Sequence, residues 1–291
     1  MQKITTHLWY DKEAKEAADF YLAVFKDSKH LHTNTIHNTP SGSVDIVTIE
    51  LMGQQFTLIS AGPLFKFNPS ISFLVSFDTK EALDAAWQQL SEGGIALMEP
   101  GTYPFAERFG WIQDKYGLSW QLIYTGRPSK QAIIPTLMFV GKQCGKAEEA
   151  INHYTSIFRN SKVDGITRYG ANEFPDKAGT AKRAEFTLEG QVFAAMDSAH
   201  AHNFAFNEAI SLMVHCANQE EIDYYWDRLS AVPEAEQCGW LKDKFGVSWQ
   251  IVPTGMEEIF KDEKKAARVT QAFLQMKKFD LAKLKEAANQ A

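Results

Sequence analysis

The chain has 291 residues, of which 45% are hydrophobic and 12% aromatic, enough to build a core in each of two ordinary domains. Its 36 acidic and 30 basic residues are mixed along the chain and give a formal charge of −6, so no one-sided basic surface favours nucleic acid or a membrane surface as a partner. Its first residues are charged where a signal peptide is apolar, and no segment approaches the roughly 18 apolar residues of a membrane span, so we expect a cytoplasmic protein.

The first 60 residues predict one strand, one helix and three further strands. The segment ITTHLWY has a short strand pattern, and EAKEAADFYLAVF then places Ala17, Tyr21 and Val24 on one helical face. Three extended stretches follow, around Ser28–His37, Val44–Met52 and Gln55–Ser60. This order predicts a βαβββ unit.

The same order begins again at SISFLVSF and ends at LSWQLIY. Between these strands lie a helix over EALDAAWQQL, an extended piece after Gly94 and the segment GWIQDKYG. Asp114 favours a turn and Gly117 can adopt positive φ, so Asp114–Gly117 is predicted to be a hairpin corner. Trp120 and Trp249 follow such corners next to Gln121 and Gln250 and are expected on the opposite, helix-packed face.

An internal repeat divides the chain into two copies. GWIQDKYGLSWQLI at 110–123 and GWLKDKFGVSWQIV at 239–252 agree at 8 of 14 positions, and FNPSIS with FNEAIS and GQQF with GQVF follow in the same order. We therefore predict an α+β protein with domains at 1–127 and 131–255 and a helical tail at 256–291. The copies should pair about a pseudo-two-fold axis, and a homodimer is also open.

The paired βαβββ units, the helix motif FYLAVF and the GWxxDKxGxSWQ hairpin together resemble the PhnB-like branch of the vicinal oxygen chelate superfamily. This branch includes sequences described as 3-demethylubiquinone-9 3-methyltransferases. The resemblance covers nearly all of residues 1–255. It implies that the two units of each copy curl into a cup-shaped mixed sheet whose inside is the functional surface, as in glyoxalases, ring-cleaving dioxygenases and drug-binding resistance proteins.

The metal enzymes of that superfamily take His or Glu ligands from the first and last strand of each unit. The matching positions here are Thr6, Thr57, Ser72, Gln121, Pro135, Ala194, Ser211 and Gln250. A divalent ion needs imidazole or carboxylate ligands to replace its water shell, so we expect no metal and no other cofactor. A one-residue shift would turn His7 inward in place of Thr6.

A ligand site is expected in the cup of the second copy. Strand alternation places Ser211, Met213 and His215 on one face, and the resemblance places Gln250 and Met196 beside them. Such a mixture of adaptable apolar groups and a few hydrogen-bonding groups is typical of small-molecule pockets. Ser72 and Gln121 are the corresponding residues of the first copy. A satisfied core histidine at position 215 is the plain alternative.

Two functions remain open from sequence. One is metal-independent binding of a small molecule in the manner of the drug-binding resistance proteins. The other is catalysis, by a metal-dependent lyase or dioxygenase-like enzyme or by the methyltransferase that the family description implies. The segment VGKQCGKAEEA has the wrong glycine spacing for a phosphate loop, and His200 and His202 are expected in a solvated loop.

The tail carries a helical stripe at Val269, Phe273 and Met276. It is expected either to pack against the second copy or to close a groove between the copies.

Overall fold

The computed structural model describes residues 2–39, 41–259 and 262–289. Each copy contains two units in which a strand is followed by a helix and a run of further strands. The strands of the first copy are β1 Ile4–Tyr10, β2 Lys29–Thr39, β3 Gly42–Leu51, β4 Gln54–Ser60, β5 Ile71–Phe77, β6 Ile95–Tyr103, β7 Ala106–Gln113 and β8 Ser119–Tyr124, and its helices are α1 Ala14–Val24 and α2 Lys80–Ser91.

The second copy repeats this order with a shorter last unit. Its strands are β9 Ile133–Val140, β10 Lys162–Arg168, β11 Ala181–Leu188, β12 Gln191–Ser198, β13 Ile210–Cys216, β14 Trp240–Lys242 and β15 Ser248–Pro253, and its helices are α3 Ala147–Ile157 and α4 Gln219–Leu229. The tail forms α5 Met256–Ile259, α6 Glu263–Phe273 and α7 Leu281–Asn289. The predicted α+β class with tandem βαβββ units and a helical tail is confirmed.

The strands form two mixed sheets, and each sheet combines one unit from each copy. Sheet A has the order β14-β15-β13-β1-β4-β3-β2, and sheet B has the order β10-β11-β12-β9-β5-β8-β7-β6. The joins are antiparallel and equivalent, since β1 pairs with β13 and β5 pairs with β9. The arrangement differs from the expected one, in which the two units of a single copy would share a sheet. Strands pair through backbone hydrogen bonds, which do not depend on the identity of the side chains. A strand of one copy can therefore pair with a strand of the other copy at these joins.

Reciprocal hydrogen bonds also relate the two copies. Asn68 Nδ2 donates to the Ala205 carbonyl at 3.0 Å, and Asn207 Nδ2 donates to the Lys66 carbonyl at 2.8 Å. These residues belong to the repeated segments FNPSIS and FNEAIS or lie just before them. The tandem structure thus pairs its own two copies through equivalent contacts.

Strand alternation gives each sheet two unlike faces. On β1, Ile4, Leu8 and Tyr10 join the same core cluster as Ala17 and Tyr21 of α1. We call this the helix face of the sheet. Thr5, His7 and Trp9 alternate with these residues and therefore point to the opposite side, which we call the inner face.

A buried carboxylate in the first copy links the two sheets. Asp114, at the β7–β8 corner of sheet B, accepts hydrogen bonds from Tyr21 on α1 at 2.8 Å and from Trp120 at 2.9 Å. It also accepts from the backbone amides of Tyr116 and Leu118. Helix α1 packs on β3 and β4 of sheet A, so the Tyr21 hydroxyl fixes one sheet relative to the other.

The second copy repeats this arrangement with the sheets exchanged. Asp243 accepts from Tyr154 at 2.7 Å and from Trp249 at 2.8 Å, and from the amides of Phe245 and Val247. Trp120 and Trp249 are fully buried on the helix face, as predicted. The predicted corner is confirmed as well, since Gly117 adopts a φ of +86° two residues before β8 begins.

Burial raises the pKa of both carboxyl groups, and the hydrogen bonds from Trp and Tyr side chains act in the opposite direction. A buried carboxylate is tolerated only when such donors replace its water shell. The motif GWxxDKxGxSWQ therefore contains the aspartate acceptor, the glycine of the hairpin corner and the tryptophan that donates to the aspartate.

Replacing the acceptor should weaken the whole chain. In Asp114→Asn, one acceptor oxygen of the carboxylate is replaced by an NH2 group, which cannot accept the hydrogen bonds that the protein donates there. We therefore expect a loss of about 3 kcal/mol in unfolding free energy. Urea denaturation measures this loss. Asp84→Asn, which removes the partner of an exposed ion pair with Arg108 at 2.7 Å, is the control and should cost less than about 1 kcal/mol. Equal losses in the two variants would contradict a structural role for Asp114.

Candidate functional site

The inner face of sheet A carries a row of polar side chains across its central strands. In register, Ser248 of β15 lies beside Ser211 of β13, Ser211 lies opposite His7 of β1, and His7 lies beside Thr57 of β4. All four residues alternate with members of the helix-face core and so point inward. The row brings together the first and last strands of units from different copies.

Two of the positions inferred from the resemblance are corrected by this alternation. Thr6 lies between the core residues Ile4 and Leu8 on the helix face, so His7 takes the inner position on β1. On β9, Pro135 lies opposite Phe73, a residue of the helix-face core, and the inner position belongs to Thr136. A one-residue shift at the first strand of each copy produced both errors.

The proposed ligand-site residues divide between the two sheets. Ser211, Met213, His215 and Gln250 lie on sheet A, but Met196 lies on β12 of sheet B together with Ser72 and Gln121. The expectation that Met196 lies near Ser211 is therefore wrong. It assumed that the two units of the second copy share one cup, and they do not.

Each inner face has a buried serine–glutamine pair at its centre. Gln250 Nε2 donates to Ser211 Oγ at 2.8 Å, and Gln121 Nε2 donates to Ser72 Oγ at the same distance. Both serines and both glutamines are buried. Because the serine and glutamine of each pair bond to each other, they form the base of each inner face, and other groups are left to bind a ligand.

His7 carries a buried polar atom that these pairs leave unsatisfied. The residue is only 3% exposed, and its Nδ1 atom has no hydrogen-bond partner among the described residues. Burial lowers its pKa to about 3, so the imidazole is neutral at physiological pH. Sequence analysis placed His7 on the inner face only if the alignment shifted by one residue. The signal that could have placed it there is the alternation of β1 with the apolar residues Ile4, Leu8 and Tyr10.

His215 has local partners instead. Its Nε2 atom lies 2.9 Å from Thr5 Oγ1, and its backbone amide donates to the Lys3 carbonyl at 3.0 Å. Thr5 and His215 are neighbours on the inner face of β1 and β13. His215 is therefore placed at the end of the face and is oriented by the first strand of the other copy.

Trp240 distinguishes the face of sheet A from that of sheet B. In sheet B, Trp111 Nε1 donates to Ser119 Oγ at 2.7 Å. In sheet A the corresponding Trp240 stands edge-on to His7, with ring centroids 5.2 Å apart. The Oγ atom of the corresponding Ser248 is buried, and no residue in the described part of the chain bonds to it. Among the described residues, the inner face of sheet A thus carries unpaired polar atoms on both His7 and Ser248.

The donor set does not fit a divalent metal ion. Of the inner residues His7, Thr57, Ser211 and Gln250, one is an imidazole and none is a carboxylate, and neutral oxygens bind hard cations weakly without added negative charge. Across residues 2–39, 41–259 and 262–289, no group of three His, Cys, Asp or Glu side chains is arranged to hold a metal ion.

Helix α3 begins in the glycine-containing segment that superficially resembles a phosphate loop. The carboxylate of Asp197 accepts from the amides of Gly145 at 2.7 Å, Ala147 at 3.2 Å and Ala181 at 3.0 Å. A side chain of the protein thus occupies the place that an anion would take at this helix start.

The other sequence features of interest lie away from the inner face of sheet A. His200 and His202 lie in the loop before β13, where His202 Nε2 is 2.9 Å from Ser198 Oγ and His200 Nε2 is 3.6 Å from Asp176. An open groove of about 690 Å³ lies between the segments 66–69 and 203–207, and neither His7 nor Ser211 lines it.

No helix in the described part of the chain is long and apolar enough to cross a membrane.

The two mixed sheets of βαβββ units place the chain in the glyoxalase-like, vicinal oxygen chelate class of folds. Glyoxalase I from Zea mays has a similar structure, with a TM-score of 0.56 over 88% of this chain and 96% of the maize chain. The two sequences are 13% identical, so this likeness shows the fold alone.

Within this class, the chain belongs to the family described as 3-demethylubiquinone-9 3-methyltransferase, whose model matches residues 2–123 and 131–252. A PhnB protein from Bacillus cereus is 37% identical over 43% of this chain and all of its own, with a TM-score of 0.41. The resemblance to the PhnB-like branch is thereby confirmed. A comparison with curated proteins finds no match.

The buried neutral state of His7 predicts a pH effect on stability. The unfolded chain binds a proton at this residue below the ordinary histidine pKa of 6.5, while the folded chain does not until pH falls to about 3. Stability is therefore lost as pH falls through this window, and we expect His7 to account for a loss of about 2 kcal/mol between pH 7 and pH 5.

The variant His7→Thr isolates this contribution, because Thr136 already occupies the equivalent position of sheet B. Unfolding free energies of the wild type and the variant should be compared in urea at both pH values. Every other histidine is common to the two proteins. If the variant loses as much stability as the wild type, His7 is not held neutral by burial.

Proposed function

We propose that this protein is a metal-independent binding protein for a small uncharged molecule, with its site on the inner face of sheet A around His7. The unpaired Nδ1 atom of the buried His7 carries the proposal. Ser211 and Gln250 form the floor beside it, and Met213 and His215 lie on the same face.

An unpaired polar atom in a buried place is destabilising by about 1–3 kcal/mol. Native proteins tolerate such an atom where water or a ligand completes its hydrogen bonding. His7 Nδ1 and Ser248 Oγ are two such atoms on adjoining parts of one face. A ligand that bonds to either of them would recover this free energy.

The surroundings of His7 favour a neutral ligand with apolar surface. Burial that lowers the pKa of His7 to about 3 would disfavour any other unpaired charge at the same place. Trp9 and Trp240 stand edge-to-face with ring centroids 6.0 Å apart, and the flexible Met213 lies on the same face. Aromatic rings and a methionine can adapt to apolar molecules of different shape.

The enzymatic alternatives have less support. A lyase or dioxygenase-like reaction of the superfamily type needs metal ligands that this inner row does not contain. The methyl transfer in the family description needs a site for a methyl donor, and both sheets are mixed, without the alternating parallel βα order of a nucleotide-binding fold. Binding without bond formation needs only the groups that are present.

A ligand screen by thermal shift, followed by calorimetry of the hits, tests this function. We expect His7→Thr to weaken the Kd of a hit about tenfold, which is the loss of one hydrogen bond. His215→Ala should weaken it less, because Thr5 already engages His215. The Kd should not change after dialysis against EDTA.

Thr136→Ala is the matched control on sheet B and should leave the Kd unchanged. If hits respond to Thr136 and not to His7, the site is on the other sheet. If no hit depends on either residue, or if EDTA abolishes binding, the proposed function is wrong.

A further inference from the structure

Trp240 and Trp111 occupy equivalent positions in the two sheets. Each follows the glycine that begins the repeated motif, and each lies opposite the motif glutamine of its own sheet, Gln250 for Trp240 and Gln121 for Trp111. Both tryptophans alternate with core residues, so they point to the inner face, and both are partly exposed. A difference in their contacts is therefore a difference between the two faces.

The indole N–H group of Trp240 is a hydrogen-bond donor without a protein acceptor. Trp111 Nε1 donates to Ser119 Oγ at 2.7 Å, whereas no residue in the described ranges accepts a hydrogen bond from Trp240 Nε1. An indole nitrogen can only donate. A donor that no protein group satisfies bonds to water or to a ligand, so Trp240 offers this face a hydrogen bond that Trp111 does not offer to sheet B.

Neighbouring rings orient the side chain of Trp240. Its ring centroid lies 5.2 Å from that of His7 and 6.0 Å from that of Trp9, and both contacts are edge-to-face. The counterparts of His7 and Trp9 on β9 are Thr136 and Met138, which have no aromatic ring. The orientation of Trp240 therefore depends on two residues that the equivalent strand of the second copy replaces.

The tail fixes the backbone just before Trp240. The amides of Cys238 and Gly239 donate to the carbonyls of Met276 at 2.8 Å and Lys277 at 2.7 Å. In sheet B the corresponding place beside β7 is taken by β6. The tail thus packs against the second copy, which is one of the two placements expected from the sequence, and it holds the strand end that carries Trp240.

The charged residue of β14 is already neutralised. Lys242 lies opposite Ser248 and forms an ion pair with Glu208 at 2.7 Å, with side chains that are 23% and 22% exposed. An anionic ligand would have to compete with Glu208 for the ammonium group of Lys242. A neutral acceptor requires no such exchange, and the indole N–H of Trp240 can bond to it directly.

We propose that Trp240 contacts the ligand of this face and selects a planar aromatic molecule that carries a neutral hydrogen-bond acceptor, such as a ketone oxygen. This inference rests on the proposed function, because it names the class of molecule that the His7 site binds. The acceptor takes the hydrogen bond from the indole N–H, and the ligand ring packs against Trp240 and Trp9. Aromatic rings favour such edge-to-face or offset contacts with one another.

The free indole donor can be tested without a ligand. NMR spectra of the full-length protein resolve indole N–H groups, and Trp240→Phe and Trp111→Phe identify these two. We expect the Trp240 indole proton to exchange with solvent at least tenfold faster than that of Trp111, because hydrogen-bonded protons are protected. Trp240→Phe should also lower the midpoint of urea unfolding less than Trp111→Phe, which leaves Ser119 without its donor.

Four small probes separate the contributions of ring, acceptor and charge. Acetophenone has a planar ring and a neutral acceptor, isopropylbenzene lacks the acceptor, cyclohexyl methyl ketone lacks the planar ring, and benzoate is an anion. We expect acetophenone to shift the Trp240 indole resonance and to bind the wild type about tenfold more tightly than each of the other three. NMR titration gives each Kd.

The variants assign the acceptor bond to Trp240. Trp240→Phe keeps an aromatic ring and loses the N–H, so it should weaken acetophenone binding about tenfold and leave isopropylbenzene binding unchanged. Trp240→Leu also loses the ring and should weaken both aromatic probes. Trp111→Phe is the matched control on sheet B and should leave every Kd unchanged.

The selectivity is overturned if the Trp240 indole proton exchanges as slowly as that of Trp111, or if acetophenone and isopropylbenzene bind equally. It is also overturned if benzoate binds most tightly or if none of the four probes binds. Failure of the proposed function gives a different pattern. Ligands that depend on His7 and not on Trp240 keep the binding site and remove the selectivity. Acetophenone binding that depends on Trp240 and not on His7 keeps the selectivity and contradicts a site around His7.

Discussion

The buried carboxylates Asp114 and Asp243 are the constraint on which the rest of the structure depends. Each accepts four hydrogen bonds, and in each case the tyrosine donor comes from a helix packed on the other sheet. A carboxylate without its donors could not stay in a dry core, so the two sheets must be held in the one relation that satisfies both acceptors. Helices α1 and α3 are thereby fixed between a sheet that they cover and a corner of the other sheet.

This constraint explains how the units of one copy stay together although each lies in a different sheet. Within a copy, the tyrosine, the aspartate and the tryptophan hold the two units together through the core. Between copies, the β1–β13 and β5–β9 joins supply the backbone pairing. The inner faces therefore form between copies, and every residue row on them mixes the two halves of the sequence. Each copy therefore contributes residues to both inner faces.

Duplication also allowed the two faces to diverge. The serine–glutamine pairs are the same in both, but sheet A has His7 where sheet B has Thr136, and Trp240 has turned away from the serine that its counterpart Trp111 bonds. The second copy is followed by a tail, and Phe273 of this tail packs against Trp9, Ile46 and Ile59 on sheet A. Family membership does not by itself assign these differences a role, because the fold is shared by proteins with unrelated functions.

The sequence by itself determined the repeat, the order of strands and helices, the corner at Asp114 and the burial of Trp120 and Trp249. These features follow from local patterns, such as period-two alternation and turn chemistry, that are complete within a few residues. Only the tertiary structure decided which units share a sheet, because backbone hydrogen bonds are equally available to either copy. It also decided that His7 and not Thr6 faces inward and that Met196 and Ser211 lie on different sheets. These features depend on strand register and on pairing between residues far apart in the sequence, which local patterns do not specify.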